Sequence, residues 1–242
     1  MNMEGKRTCR AHVLIISCPA QSHINPILQF AKRLVFKGVK TTFVTTIQLS
    51  RTMHVDKKCS SSMAIETISD GSDEVQFTGI KQYFETFEVA GSETLVKLIE
   101  KLDHAGEPVT AIVYDSAFPW VLDVAKKFGL LKVVFFTQTC AVNSIYYHVN
   151  RGLLPLPLSK SDDVSIPGLP LLRASDTPSF IHDMESTVPG LSDLAVNQLS
   201  NIDEADWVLF NIFYKLEEKV NRTLFFQILR RMKWIGWLNA GK

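Results

Sequence analysis

Hydrophobic positions near the start of the chain change their period twice. Residues 12–17 (HVLIIS) form a nearly unbroken run of branched apolar side chains, long enough for one buried strand. From Ile24 the apolar residues fall at Ile24, Ile27, Leu28, Ala31, Leu34 and Val35, which is one face of a helix. Gly38 is placed to close that helix, and residues 39–46 (VKTTFVTT) return to β-branched strand character. A right-handed βαβ unit follows from this order. At the turn from strand to helix, Ser22 occupies the expected N-cap position and Pro26 sits close enough to the start to be tolerated. His23 then becomes the first helical residue.

The same alternation continues down the chain. Residues 63–68 form a third, weaker strand, followed by the turn cluster Ser69-Asp70-Gly71-Ser72-Asp73, whose acidic groups are expected in solvent. Residues 80–102 carry a helical pattern through Tyr83, Phe84, Phe87, Leu95, Leu98 and Ile99. It is interrupted near Gly91, so two abutting helices fit as well as one. A fourth strand, 109–114, ends on Asp115, and a helix spans about 119–128 with Gly129 as its stop. A fifth strand at 133–137 precedes a helix at 140–149. Residues 153–175 are punctuated by Pro155, Pro157, Pro167, Gly168 and Pro170 and read as a long loop, either a binding loop or a passive wrap. Helix at 188–200, a sixth strand at 206–210 and a helix starting at Tyr214 complete the pattern. Six strands alternating with helices predict an α/β fold with a doubly wound parallel sheet.

Composition narrows the function classes. With 46% hydrophobic and 21% charged residues and a formal net charge of +1, the chain resembles an ordinary globular protein and gives no reason to invoke nucleic acid. No apolar run reaches the ~20 residues of a membrane-spanning helix. The four cysteines (Cys9, Cys18, Cys59 and Cys140) have no CxxC or zinc-like spacing, so they are expected to be reduced thiols in a cytoplasmic protein, with no metal site. The sequon at Asn221 is then expected to be unused. None of the twelve glycines builds GxGxxG or a P-loop, and GxSxG and HExxH are also absent.

The chemistry of the chain therefore rests on His23 and Asp115. In the strand order 3-2-1-4-5-6, strands 1 and 4 are neighbours where the winding reverses, so the two residues leave adjacent strands at one edge of one crevice. A carboxylate bonded to one imidazole nitrogen fixes the tautomer and frees the other nitrogen as a base. The positive end of the helix is expected to lower the His23 pKa and keep it neutral. The alternatives are a surface or capping histidine, and an aspartate that only caps the helix after it.

The segments CPAQSHINPILQFAKRL, ISDGSDE, AIVYDSAFPWVLDVAKKFGL, FFTQTCAVNSIYYH and IPGLPLL, in this order and spacing, together resemble the N-terminal half of a plant UDP-dependent glycosyltransferase acting on small molecules. The resemblance runs from about residue 12 to 218. It implies a Rossmann-like domain forming one half of a GT-B architecture, with His23 as base and Asp115 as its orienting acid. Transfer of a sugar, glucose by expectation, from a UDP-sugar to a hydroxyl or carboxylate would proceed with inversion. The same resemblance implies sugar-donor contacts from Ser22, Thr137 and Gln138, and acceptor contacts from Phe118, Asn143 and Phe180. No cofactor is expected beyond the UDP-sugar co-substrate, and the partner is a small-molecule acceptor.

The departure lies at the end. The family continues through a linker into a nucleotide-binding domain, whereas residues 219–242 form a divergent tail after the acceptor domain 1–218. Its apolar and basic positions are compatible with an amphipathic helix. The expectation is a truncated transferase that is inactive alone, because well-oriented binding of two substrates lowers a barrier by about 7–11 kcal/mol. A different class of function, a non-catalytic acceptor-binding or regulatory module pairing with a full-length relative, stays open beside it.

Overall fold

Each central strand is apolar on both sides, and alternate residues feed two separate cores. The computed structural model of the protein describes residues 11–52, 63–72, 77–183, 189–220, 222–223 and 233–234. In chain order, β1 (His12–Ile16) leads into α1 (Gln21–Phe36), then β2 (Lys40–Thr46), the short α2 (Ile47–Thr52) and β3 (Met63–Ile68). The long α3 (Ile80–His104) precedes β4 (Ala111–Asp115), α4 (Trp120–Lys127), β5 (Leu131–Phe136) and α5 (Cys140–Asn150). A small antiparallel pair follows, β6 (Asp163–Val164) and β7 (Leu172–Arg173), then α6 (Ser179–His182), α7 (Leu191–Asn197), β8 (Trp207–Phe210) and β9 (Lys233–Trp234).

The main sheet has the order β3-β2-β1-β4-β5-β8-β9, with every neighbouring pair parallel. This is the doubly wound order expected from the alternation of strands and helices. Leu14, Ile16, Ile112, Tyr114, Val134 and Phe136 point to one core, closed by α3, α4, α5 and α7. Val13, Ile15, Phe43, Val113 and Phe135 point to the other, closed by Ile24, Ile27 and Ala31 of α1. Strands covered on both faces are apolar at most positions, which is why β1, β4 and β5 show runs rather than alternation. Among the described residues no helix is long and apolar enough to cross a membrane.

Three regions resolve what the sequence left open. α3 is one continuous helix, and Gly91 is buried inside it. A Cβ at Gly91 would lie 2.8 Å from the Phe87 ring and 2.9 Å from the Trp120 ring, so the glycine permits close helix packing rather than a break. The stretch 153–175 contains β6 and β7, and its Val164 and Ile166 are buried in the larger core, which is the passive-wrap alternative. Of the divergent tail 219–242, the described residues are 219–220 and 222–223, which are helical, and Lys233–Trp234, which add a parallel strand beside β8; an amphipathic helix was one reading of this segment.

Candidate active site

The site begins with register. Ile16 of β1 pairs with Tyr114 of β4, so the next residues of both strands leave the sheet at the same level. From β1 the chain passes through Cys18 and Pro19 and enters α1 at Gln21, with Ala20 as an extended N-cap. The expected cap is thus displaced by two residues. Ser22 is the exposed second residue of the helix, no side chain caps this end, and His23 is the third helical residue, its amide donating to the Ala20 carbonyl at 2.9 Å.

Asp115 ends β4 fully buried, and His23 stands over it with 20% of its side chain exposed. His23 Nδ1 lies 2.9 Å from Oδ2 and 3.0 Å from Oδ1. An ionised carboxylate can only accept, so Nδ1 carries the proton and Nε2 is left as the basic nitrogen. The amide of Cys18 donates to Oδ2 at 3.2 Å and that of Ala117 to Oδ1 at 3.0 Å. Asp115 therefore braces the two turns leaving β1 and β4, and it does not cap α4, which starts five residues later behind Pro119.

Burial is the largest influence on the His23 pKa and lowers it, but the Asp115 hydrogen bond and charge together exceed it, so the pKa rises above the ordinary 6.5. This reverses the expectation of a lowered value. A formal negative charge in hydrogen-bond contact outweighs the partial charge of a helix end. The resulting imidazole is a stronger base. Burial and the same aspartate push the Cys18 thiol up, so Cys18 is not a thiolate nucleophile.

His23 opens onto a cleft of about 540 Å³. Its walls are mainly apolar, from Ile80, Tyr83 and Phe84 of α3, Phe180 of α6, and Leu191 and Leu194 of α7. Polar groups enter at Gln138 and Gln198. Gln198 also accepts a hydrogen bond from buried Ser116 at 2.9 Å, tying the end of α7 to the end of β4. The Gln138 Oε1 is buried, without a hydrogen-bond partner among the described residues. Thr137 is partly buried just after β5.

The structure thus brings His23, Asp115, Gln138 and Phe180 to one place. Phe118 and Asn143 are corrected: neither lines the cleft. Phe118 is wholly buried against Phe87, with ring centroids 4.7 Å apart, and against Trp120 at 5.6 Å. Asn143 is 1% exposed, and its amide nitrogen holds the Gln138 and Thr139 carbonyls at 3.2 and 2.8 Å. Asp70 was expected in solvent but is 7% exposed, accepting a hydrogen bond from the Tyr83 hydroxyl at 3.2 Å. Nothing local in a turn of small polar residues distinguishes a buried carboxylate from a solvated one. Tyr83 lies on the helical stripe that marked it as core, and only the position of α3 at the cleft reveals its second surface.

Comparison with known proteins decides the family. Over 210 residues the chain is 42% identical to mogroside I-E synthase of Siraitia grosvenorii, covering 86% of this chain and 46% of that protein. It is 42% identical over 213 residues to flavonol 7-O-beta-glucosyltransferase UGT74F1 of Arabidopsis thaliana, covering 86% and 45%. The crystal structure of Os79 from O. sativa in complex with UDP superposes with a TM-score of 0.81 at 32% identity, over 93% of this chain and 50% of that one. The chain belongs to the plant UDP-glycosyltransferases. It corresponds to their N-terminal half and spans about half the length of the curated relatives it matches. No protein-family model matches it. The likeness to Os79 also identifies the sheet as one Rossmann-like half of the GT-B architecture.

Proposed function

We propose that this chain is the acceptor-binding half of a UDP-glycosyltransferase, with His23 as the general base. The observation that carries this reading is the bifurcated contact of the His23 Nδ1–H with both oxygens of buried Asp115 at the mouth of an apolar cleft. A planar or polycyclic acceptor packs between Tyr83, Phe84 and Phe180, with its hydroxyl directed to His23 Nε2. As that proton moves to Nε2, the acceptor oxygen attacks the anomeric carbon of the sugar, and the bond from that carbon to the UDP oxygen breaks with inversion. Asp115 stabilises the imidazolium that forms, an arrangement that contributes about 10²–10⁴-fold. Where the acceptor is a carboxylate there is no proton to remove, and the imidazolium instead holds the anion.

The UDP-sugar, glucose in the reading the relatives' names support, is the co-substrate, and no further cofactor is proposed. Thr137, Gln138 and Ser22 reach toward the sugar from this half. The nucleotide is held by a second half such as the relatives carry beyond the matched region. Buried thiols at Cys18 and Cys140 support a reducing, cytoplasmic setting.

The test joins this chain to the donor half of a relative and follows glucose transfer from UDP-glucose to a flavonol, with His23→Ala alongside. Calorimetry of the chain alone with the same flavonol measures acceptor binding. The reading predicts binding by the chain and loss of transfer in the variant. Undiminished transfer by His23→Ala, or no flavonol binding, overturns it.

A further inference from the structure

Tyr83 and Pro19 belong to the walls of two cavities. One is the His23 cleft, and the other is a space of about 390 Å³ at the carboxyl ends of β2 and β3. The second space has apolar sides from Pro19, Leu49, Phe77 and the Tyr83 ring, with Gln48 at its exposed rim and, among the described residues, Asp70 as its charged element. Tyr83 is fixed as a partition between the two by edge contacts with Phe77 at 5.0 Å and Phe84 at 5.6 Å, and by its hydroxyl bond to Asp70.

The Asp70 carboxylate is unevenly used. Oδ1 accepts from the Ser72 amide at 3.1 Å and the Ser72 hydroxyl at 2.6 Å, whereas Oδ2 accepts from Tyr83 at 3.2 Å. All three donors are neutral. A carboxylate oxygen accommodates two donors, so Oδ2 keeps capacity for one more, and a buried charge gains from each neutral donor added. An anionic group placed there would be repelled.

We propose that this space is a second acceptor subsite. It takes the neutral, hydroxyl-rich end of a long acceptor, with one hydroxyl donating to Asp70 Oδ2 and the ring lying on Phe77 and Leu49. The acceptor passes Tyr83 with its reacting end at His23, so the subsite rests on the acceptor-binding reading above. Asp70 acts in specificity and takes no part in the transfer itself.

The experiment is calorimetric titration of the purified chain with three probes: a flavonol, its monoglucoside, and the matching glucuronide, whose carboxylate replaces the terminal alcohol. The glucoside binds about tenfold more tightly than the flavonol, as one added charge-assisted hydrogen bond requires, and the glucuronide loses that gain. Asp70→Asn removes the charge. Gln48→Trp fills the exposed rim without touching Asp70, and so serves if the first variant misfolds. Either variant removes the advantage of the glucoside, and Gln48→Trp, which lies outside the His23 cleft, leaves flavonol affinity unchanged. Flavonol binding with no gain for the glucoside, or a gain that persists in a folded variant, overturns the subsite alone. Failure of the flavonol itself to bind overturns the acceptor-binding reading and the subsite with it.

Discussion

His23 and Asp115, 92 residues apart in sequence, meet with Nδ1 within 3.0 Å of both carboxylate oxygens. The contact is produced by the sheet, because β1 and β4 are neighbours although β2 and β3 lie between them in the chain. Two turns of unrelated sequence are thereby bound into one rigid edge. Asp115 holds the Cys18 amide on one side and the Ala117 amide on the other.

The raised His23 pKa predicts different pH profiles for two acceptor types. Removal of a hydroxyl proton needs neutral imidazole, so transfer to a phenol falls as pH drops through a His23 pKa that lies above 6.5. Transfer to a carboxylate is served by the imidazolium and holds its rate through the same window. Parallel profiles of kcat/KM for a phenol and a matched benzoate, on the chain joined to a donor half, test this. Identical acid limbs for both would show that His23 is not the titrating group.

The same pair makes stability depend on pH, with a definite sign. His23 binds its proton more tightly in the folded state than in the unfolded one. Its contribution is therefore complete below about 6.5 and fades as pH rises through the folded-state pKa. His23→Gln should cost about 1.5–3 kcal/mol at pH 5.5–6, the range for hydrogen bonds to charged groups, and less at pH 8.5. Urea unfolding of both proteins at the two pH values gives the difference, and a cost growing toward high pH would contradict the pairing.

Asp115→Asn is expected to be worse than its small change in shape suggests. Both carboxylate oxygens receive backbone amides, so an asparagine must set its NH₂ against either Cys18 N–H or Ala117 N–H. One buried donor then lacks an acceptor, which costs about 1–3 kcal/mol. The imidazole also loses its charged partner, so its pKa falls. Thermal melts and an NMR titration of His23 measure the two effects separately.

Much of this arrangement is legible in the sequence because it depends on period and order. Strand runs such as 12–17 and 109–114 are apolar enough to identify alone, and the alternation with helices supplies the neighbourhood of β1 and β4. The His23–Asp115 pairing follows from that topology before any coordinates. The sign of the His23 pKa does not, since it depends on whether a full charge comes within 3 Å, and spacing cannot give a distance. Asp70 and Gly91 are hidden for a related reason. A polar turn and a helical glycine have the same local pattern whether they face water or, as Gly91 does, the Trp120 ring. Phe118 and Phe180 are indistinguishable as isolated aromatics, and only packing assigns one to the core and the other to the cleft.

That assignment separates two otherwise similar substitutions. Phe118→Ala empties a wholly buried site within a cluster of three further aromatic rings, which typically costs about 3–5 kcal/mol. Phe180→Ala removes a partly buried ring from the cleft wall and should leave stability within about 1–2 kcal/mol while weakening flavonol binding. Denaturation and calorimetry on both variants should show opposite orders of severity. Equal loss of affinity with equal loss of stability would remove Phe180 from the acceptor wall.

The segment after β8 returns to the cleft edge through Glu217, whose carboxylate accepts the Cys140 amide at 2.8 Å and the Ala141 amide at 3.1 Å. These are the first two residues of α5, and Thr139 covers only the Val142 amide behind them at 3.3 Å. A carboxylate at this end satisfies two orphan donors and complements the positive helix terminus. Glu217→Ala should therefore lower stability by about 1–2 kcal/mol, and Glu217→Gln, which keeps one accepting oxygen, by less. Because Thr137 and Gln138 immediately precede this helix, the loss should also loosen the turn that carries them. Amide hydrogen exchange at Cys140 and Ala141 is the direct measurement. Accelerated exchange confined to these amides, beside a small drop in melting temperature, is the expected pattern, and unchanged exchange would mean that α5 begins just as firmly without Glu217.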